Sequence, residues 1–276
     1  MRKTWAVCKR EFMSYFTTPI GYVVVGTFAL ISGLSFRTVF LWFVEVSRNP
    51  AMFEYNEIPD FEETILSPFL VFCGQLILFI GPLISMRLLA EERNRGTMEL
   101  LLTHPLRDRD IIFGKYLASL GMVLIMLICV IFYLGIIEHF AQVEPAVLAF
   151  GLLTVFLMAA AFMSLGLFVS AVTSNQITAA TVTFGLWFVF WVLGSLGKFM
   201  PEVPALPLTW PQSLIGAVTV VYGVIRGLAM ELPLDNHAKD MAQGVFTPKD
   251  VAYYILFSAF FLFLTFRALE SRKWRA

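Results

Sequence analysis

Residues 91–114 read EERNRGTMELLLTHPLRDRDIIFG, a charged stretch set between two long apolar runs. A chain that only had to turn back into a bilayer could do so in a few residues, but this one has room for a short amphipathic helix, a proline stop and dense charge. Arg95 and Gly96 end the charged extension of the preceding run, and Thr97 can serve as N-cap of a short helix from Met98 to Thr103. Pro105 stops that helix, and Asp108 is a second N-cap candidate for a helix running through Gly114 and Lys115 into the next apolar run. Leu100, Leu101 and Leu102 form a cluster whose burial is worth roughly 1.5 to 3 kcal/mol per side chain, so their exposure needs a reason. The stretch reads as a surface built to be covered by a partner.

The flanking runs set the class. In 276 residues, 58% are hydrophobic and 14% charged. The mean hydropathy of +0.77 is far above that of a soluble domain, whose charged share is about a quarter. The chain reads as an all-α integral membrane protein forming a single domain over residues 1–276. Runs of about 20 apolar residues cross a hydrocarbon core of about 30 Å as helix. Six qualify, near Ile20–Phe43, Ile65–Met86, Leu117–Ile137, Val147–Val172, Ile177–Met200 and Val251–Phe266. In lipid these must be helices, whatever their β-branched content.

Charge distribution gives the orientation, since the totals of 20 basic and 20 acidic residues cancel and speak neither for nor against nucleic acid. Basic residues gather in the N-terminus (Arg2, Lys3, Lys9, Arg10), in residues 87–116 (Arg87, Arg93, Arg95, Arg107, Arg109, Lys115) and in the C-terminus (Arg267, Arg272, Lys273, Arg275). A six-span chain puts these on one side, and the positive-inside rule makes it the cytoplasm, with both termini there in a multi-pass protein of the cell (inner) membrane. Glu54, Glu57, Asp60, Glu62 and Glu63 fall on the other side.

Two further segments read as lying along the membrane. In residues 1–18, Trp5, Cys8, Phe12, Tyr15 and Phe16 recur at helical spacing opposite Lys3, Lys9, Arg10 and Ser14, which predicts an interfacial helix facing anionic lipid heads and ending at Pro19. A secretion signal is the rival, but Lys9, Arg10 and Glu11 interrupt the apolar core it needs. In residues 201–250, four prolines open the segment, and Leu214 to Met230 is apolar enough to dip into the outer leaflet. A re-entrant or interfacial hairpin fits better than a seventh crossing, which would carry the basic C-terminus outside.

Cys8, Cys73 and Cys129 are odd in number and make no framework, and His104, His139 and His237 lack metal-site spacing and read as solvated loop residues. No catalytic, cofactor-binding or metal-ligating set emerges, and no phosphate loop supplies an energy source. Arg37 in the first run reads as a side chain snorkelling to the outer interface. Ala159, Ala160, Ala161, Ser164 and Gly166 read as helix-packing contacts rather than the lining of a path.

The pattern Glu91, Glu92, Gly96, Thr97, Glu99, Leu100, Leu101, Pro105, Gly114 and Lys115 resembles the cytoplasmic loop signature of type-2 ABC transporter (ABC-2) permeases. The six runs, the outer hairpin and the end LESRKW at residues 269–274 look most like the gliding-motility (Gld-type) members. That resemblance implies a non-catalytic permease subunit of an ATP-driven exporter. ATP and Mg would be bound by a separate ABC ATPase, and the short helix would seat in that subunit as a coupling helix. Those ten residues would form the contact, with Glu91, Glu92 and Glu99 meeting basic residues. The bland alternative is that Glu91, Glu92, Arg93 and Arg95 satisfy each other at three- and four-residue spacing. The resemblance further implies pairing with a second permease, identical or not, and contact with membrane lipid, with an extracytoplasmic auxiliary protein as a further partner. A rival function is a mechanical or scaffold subunit acting on extracytoplasmic proteins without moving a substrate. An intramembrane enzyme would need converging ionisable residues that the runs do not offer.

Overall fold

The computed structural model describes residues 2–48, 50–53, 60–94, 96, 107–140, 143–202 and 211–273. All regular structure among the described residues is helical: α1 (Arg2–Thr17), α2 (Pro19–Arg48), α3 (Ser67–Ser85), α4 (Ala90–Asn94), α5 (Asp108–Phe140), α6 (Pro145–Val172), α7 (Gln176–Phe199), α8 (Gln212–Glu231), α9 (Lys239–Ala242) and α10 (Pro248–Lys273). A short wide helical turn, Glu62–Leu66, leads into α3. Each of the six apolar runs falls within a residue of one helix or of that turn and its continuation. Among the described residues seven stretches are long and apolar enough to cross a membrane, because Leu214–Glu231 in α8 qualifies beside the six.

One end of the bundle carries most of the basic residues. There Thr4 lies on Asp110, Arg10 on Glu92, Arg93 on the end of α6, and Phe266 on Phe113. At the opposite end Glu62 accepts from the Glu144 amide and Phe246 packs on Phe150. These contacts fix the directions. α2, α5 and α7 run from the basic end to the opposite one, and α3, α6 and α10 return.

α6 is the centre, packed on α3, α5, α7 and α10. Its small residues let the neighbours approach: Ala159, Ala161 and Ser164 are fully buried, and a Cβ on Gly166 would sit 2.4 Å from Ser85 Cβ. Arg37 is exposed on α2. A span of about 20 residues beginning at Pro19 ends close to it, which places Arg37 at the opposite interface.

α1 is not a detached surface helix. Its Val7, Cys8 and Tyr15 are buried, and the Tyr15 hydroxyl donates to the Ile84 carbonyl at 3.1 Å. It runs parallel to the first half of α5, where glycines allow contact: a Cβ on Gly114 would lie 2.7 Å from Val7 Cβ, and one on Gly121 2.9 Å from the Phe12 ring. Trp5, which the sequence places on the apolar side of this helix, is 68% exposed.

Among the described residues α8 meets α7 near the latter's end. Ala229 and Met230 lie against Gly197, Arg226 donates to the Met200 carbonyl and Tyr222 to the Pro201 carbonyl. The earlier turns of α8 therefore project past the end of α7. Residues 232–247 then fold back into the bundle, burying Leu234, Ala238, Met241 and Ala242. His237, expected as a solvated loop residue, is buried there. Its Nδ1 lies 2.6 Å from Asp250 Oδ1, its Nε2 2.8 Å from the Glu231 carbonyl oxygen, and its ring stacks on Tyr253. Asp250 also accepts from the Thr247 hydroxyl, so one histidine ties the end of α8 to the start of α10.

Beside this strap a polar recess of about 490 Å³ opens among Glu63, Gln75, Lys198, Asp235 and Lys239. Burial pushes the Asp235 carboxyl above its usual range, opposed by the Lys198 ammonium.

Candidate functional site

The approach to residues 97–106 is built from four side-chain anchors. The first is at the end of α3, whose last helical bond runs from the Met86 amide to the Pro82 carbonyl at 3.0 Å. The helix opens at residues 86–89, and the Ser170 hydroxyl of α6 fills the gap. It accepts from the amides of Leu89 and Ala90 at 3.0 and 2.9 Å and donates to the Met86 carbonyl at 3.2 Å. A buried amide left without such a partner costs about 1 to 3 kcal/mol, so this hydroxyl fixes the direction in which α4 leaves the bundle.

The second anchor is Arg93 on α4. Its guanidinium donates to the carbonyls of Ala171, Val172 and Thr173 at 2.6, 3.1 and 2.5 Å. These are carbonyls that the end of α6 leaves open, and a cation there also meets the negative end of the helix dipole. The third is Arg87, which holds Glu91 through two bonds of 2.7 and 3.2 Å and reaches the Thr18 hydroxyl at 2.8 Å. A paired guanidinium and carboxylate in this fork geometry is among the stronger hydrogen-bonded contacts.

The fourth anchor is a set of charges of which four are described. Lys115 Nζ lies 3.0 Å from Glu92 and 3.2 Å from Glu11, and Arg10 lies 3.2 Å from Glu92 and 2.7 Å from Glu11. The Lys115 side chain is 1% exposed and both carboxylates about 15%. Two carboxylates within 3.2 Å are what allow an ammonium to sit this deep. The set joins α1, α4 and α5, elements far apart in sequence.

Gly96 ends the platform. Its φ of +67° is in the left-handed region, and its amide donates to the Arg93 carbonyl at 3.1 Å. Glycine closes the helix there without the strain a side chain would bring, and turns the chain into the next segment.

Of the ten residues the sequence singles out, Glu91, Glu92, Gly96, Gly114 and Lys115 thus stand together at the root of the segment. Thr97, Glu99, Leu100, Leu101 and Pro105 lie outside the described residues, as does His104. Glu91 and Glu92 have partners within the chain: Glu91 pairs with Arg87 four residues back, and Arg95 of the local alternative lies outside the described residues. Arg93 turns to the carbonyls of α6, while Glu92 turns to Lys115 and Arg10. Gly114 is where α1 packs. Sequence reading missed Arg87, Ser170, Glu11 and Arg10 as parts of the site. The only local signal was the Arg87–Glu91 spacing of four.

The charged connection between α4 and α5 is thus rooted on a buried ion cluster in a helical bundle. Residues 5–204 match the family model described as ABC-2 family transporter protein, and the chain belongs to that family. Over 191 residues it is 33% identical to a protein of Pseudomonas aeruginosa named as a probable ABC transporter permease protein, NosY, spanning 59% of this chain and 69% of that relative. The chain is a transmembrane permease subunit of an ABC transporter, and a multi-pass membrane protein.

Proposed function

We propose that this permease couples ATP hydrolysis in a separate ABC ATPase subunit to export of a substrate across the cell membrane. The ATPase, which carries ATP and Mg, seats on residues 97–106 and covers Leu100 and Leu101. The observation that carries the reading is the buried Lys115, which links Glu92 at the root of that segment to Glu11 on α1. A push on the segment then reaches α1 and α5 through the charges, α6 through Arg93, and α2 through Arg87 and Thr18. Packed elements respond to such a push by shifting as units rather than by bending. Glu91, Glu92 and Lys115 act in this account as the support that holds the contact in place, while Thr97, Glu99 and Pro105 belong to the contact itself.

The topology we propose keeps six crossings, with both termini and residues 97–106 in the cytoplasm, α1 lining the inner interface and α8 lying outside. It is supported by the basic residues at one end and by the projection of α8 past α7. Exposed aromatics on α7, among them Phe184, Phe188 and Trp191, suit a second permease chain, identical or related. The projecting α8 suits an auxiliary protein on the outer side. The likeness to gliding-motility permeases rests on the apolar runs, the outer segment and the tail at residues 269–274.

The test is retention of the ATPase on purification from native membranes. The Leu100→Asp, Leu101→Asp double variant should lose the ATPase at least about tenfold, the equivalent of a single well-buried side chain, while the membrane domain keeps its thermal stability. Equal retention by wild type and variant would remove the segment from the coupling path.

A further inference from the structure

A groove of about 600 Å³ runs between α1 and α5, lined by Trp5, Cys8, Phe12, Met13, Leu117 and Leu124 and floored by Gly121 and by Phe156 of α6. Lys9 is its one charged wall residue. We propose that this groove is a binding site for one anionic phospholipid in the leaflet at the basic end. One acyl chain lies along α5 and the phosphate meets Lys9.

Four observations carry this. First, the lining is apolar and open: Trp5, Met13, Leu117 and Leu124 are 68, 53, 44 and 50% exposed, so the groove is filled from outside the chain. Second, its depth suits an acyl chain. From Leu117 to Leu124 α5 rises about 10 Å, and Phe156 lies near the middle of α6, so the groove reaches from the interface well into one leaflet, about 15 Å thick. Third, the charge is free to act. Lys9 is exposed and has no ion-pair partner among the described residues, whereas its neighbour Arg10 is held by Glu11 and Glu92. The acidic residue of α1, Glu11, points away to Lys115, so the rim is positive. Fourth, Trp5 stands at the rim, and an indole with one polar and one apolar edge is at home at the level of lipid heads. A general basic surface would attract anionic lipid without any groove. The pairing of one unpartnered ammonium with a chain-sized apolar slot makes the site local. The inference does not depend on ATPase coupling.

The test uses the full chain in phosphatidylcholine nanodiscs carrying a small fraction of lipid with brominated chains, either phosphatidylglycerol or phosphatidylcholine. The fluorescence of Trp5 is taken as the difference between wild type and Trp5→Phe. Brominated phosphatidylglycerol should quench it at about fivefold lower mole fraction than brominated phosphatidylcholine, the preference expected of one basic residue at an anionic head. Lys9→Glu, a change at an exposed residue, should abolish the preference, and Leu124→Phe, which fills the slot, should weaken quenching by both lipids. Arg267→Gln, at the same end but outside the groove, should leave the preference intact. Equal quenching by the two lipids in wild type overturns the proposal. So does a preference that survives Lys9→Glu, or one lost equally in Arg267→Gln, which would reduce it to surface attraction.

Discussion

Lys115→Met should be the most damaging single change at the basic end. It leaves Glu11 and Glu92 in a nearly buried pocket without the ammonium that lies between them, beside the half-exposed Arg10. Removing one partner from a buried ion set costs about 3 to 5 kcal/mol, because the remaining charge cannot return to water. A loss near the lower figure shifts the folding equilibrium more than a hundredfold, since each 1.4 kcal/mol is about a factor of ten. Thermal unfolding in nanodiscs should show a clear drop in midpoint. The cause is tested by adding Glu92→Gln, which removes the stranded charge. The double variant should recover much of the loss, and a double variant as unstable as the sum of the two singles would mean that the four charges do not act as one set.

Gly114→Leu should separate α1 from α5. Even a Cβ there would lie 2.7 Å from Val7 Cβ and 3.0 Å from the Thr4 carbonyl oxygen. The second of these is backbone, which cannot swing aside, so the helix itself must move. Moving it strains the Thr4 to Asp110 bond of 2.7 Å and draws Glu11 away from Lys115. Overpacking of a tight contact costs about 1 to 3 kcal/mol, and loss of the charge set adds to it. Limited proteolysis should cut within residues 2–17 at least about tenfold faster than in wild type, the rate gain that about 1.4 kcal/mol of local opening produces. Gly114→Ala should show the same effect more weakly. A Leu variant cut at the wild-type rate would mean that α1 is not held where the glycine places it.

Much of the bundle is legible before folding is considered. Six apolar runs give six helices because hydrocarbon offers a backbone no other partner than itself. The burial of Cys8 and Tyr15 follows from their spacing on α1. Trp5 did not follow. Hydrophobic periodicity marks an apolar stripe but does not distinguish a side facing protein from one facing lipid, and in a membrane both are apolar. The same ambiguity hides the place of α8, whose composition fits a crossing as well as an outer helix.

The charge set was illegible for a different reason. Arg10 and Glu92 are 82 residues apart, and Arg93 reaches Thr173 across 80. Local spacing could pair Glu91 with a neighbour, and it does pair with Arg87, but nothing in a single sequence says that Glu92 turns instead toward Lys115. Ser170 carried no signal either, because its role arises from the opening that follows α3, in another helix. His237 was misjudged because its partners are supplied by the fold-back of residues 232–247, which no periodicity marks.

The central claim is that residues 97–106 touch the ATPase. A photo-crosslinking benzophenone side chain in place of Leu100, activated in native membranes, tests it most directly, with Val220 on α8 as the comparison position. The account predicts a covalent adduct between this chain and an ABC ATPase at position 100 and none at position 220. An adduct with the ATPase at position 220 and none at position 100 would contradict both the contact and the orientation.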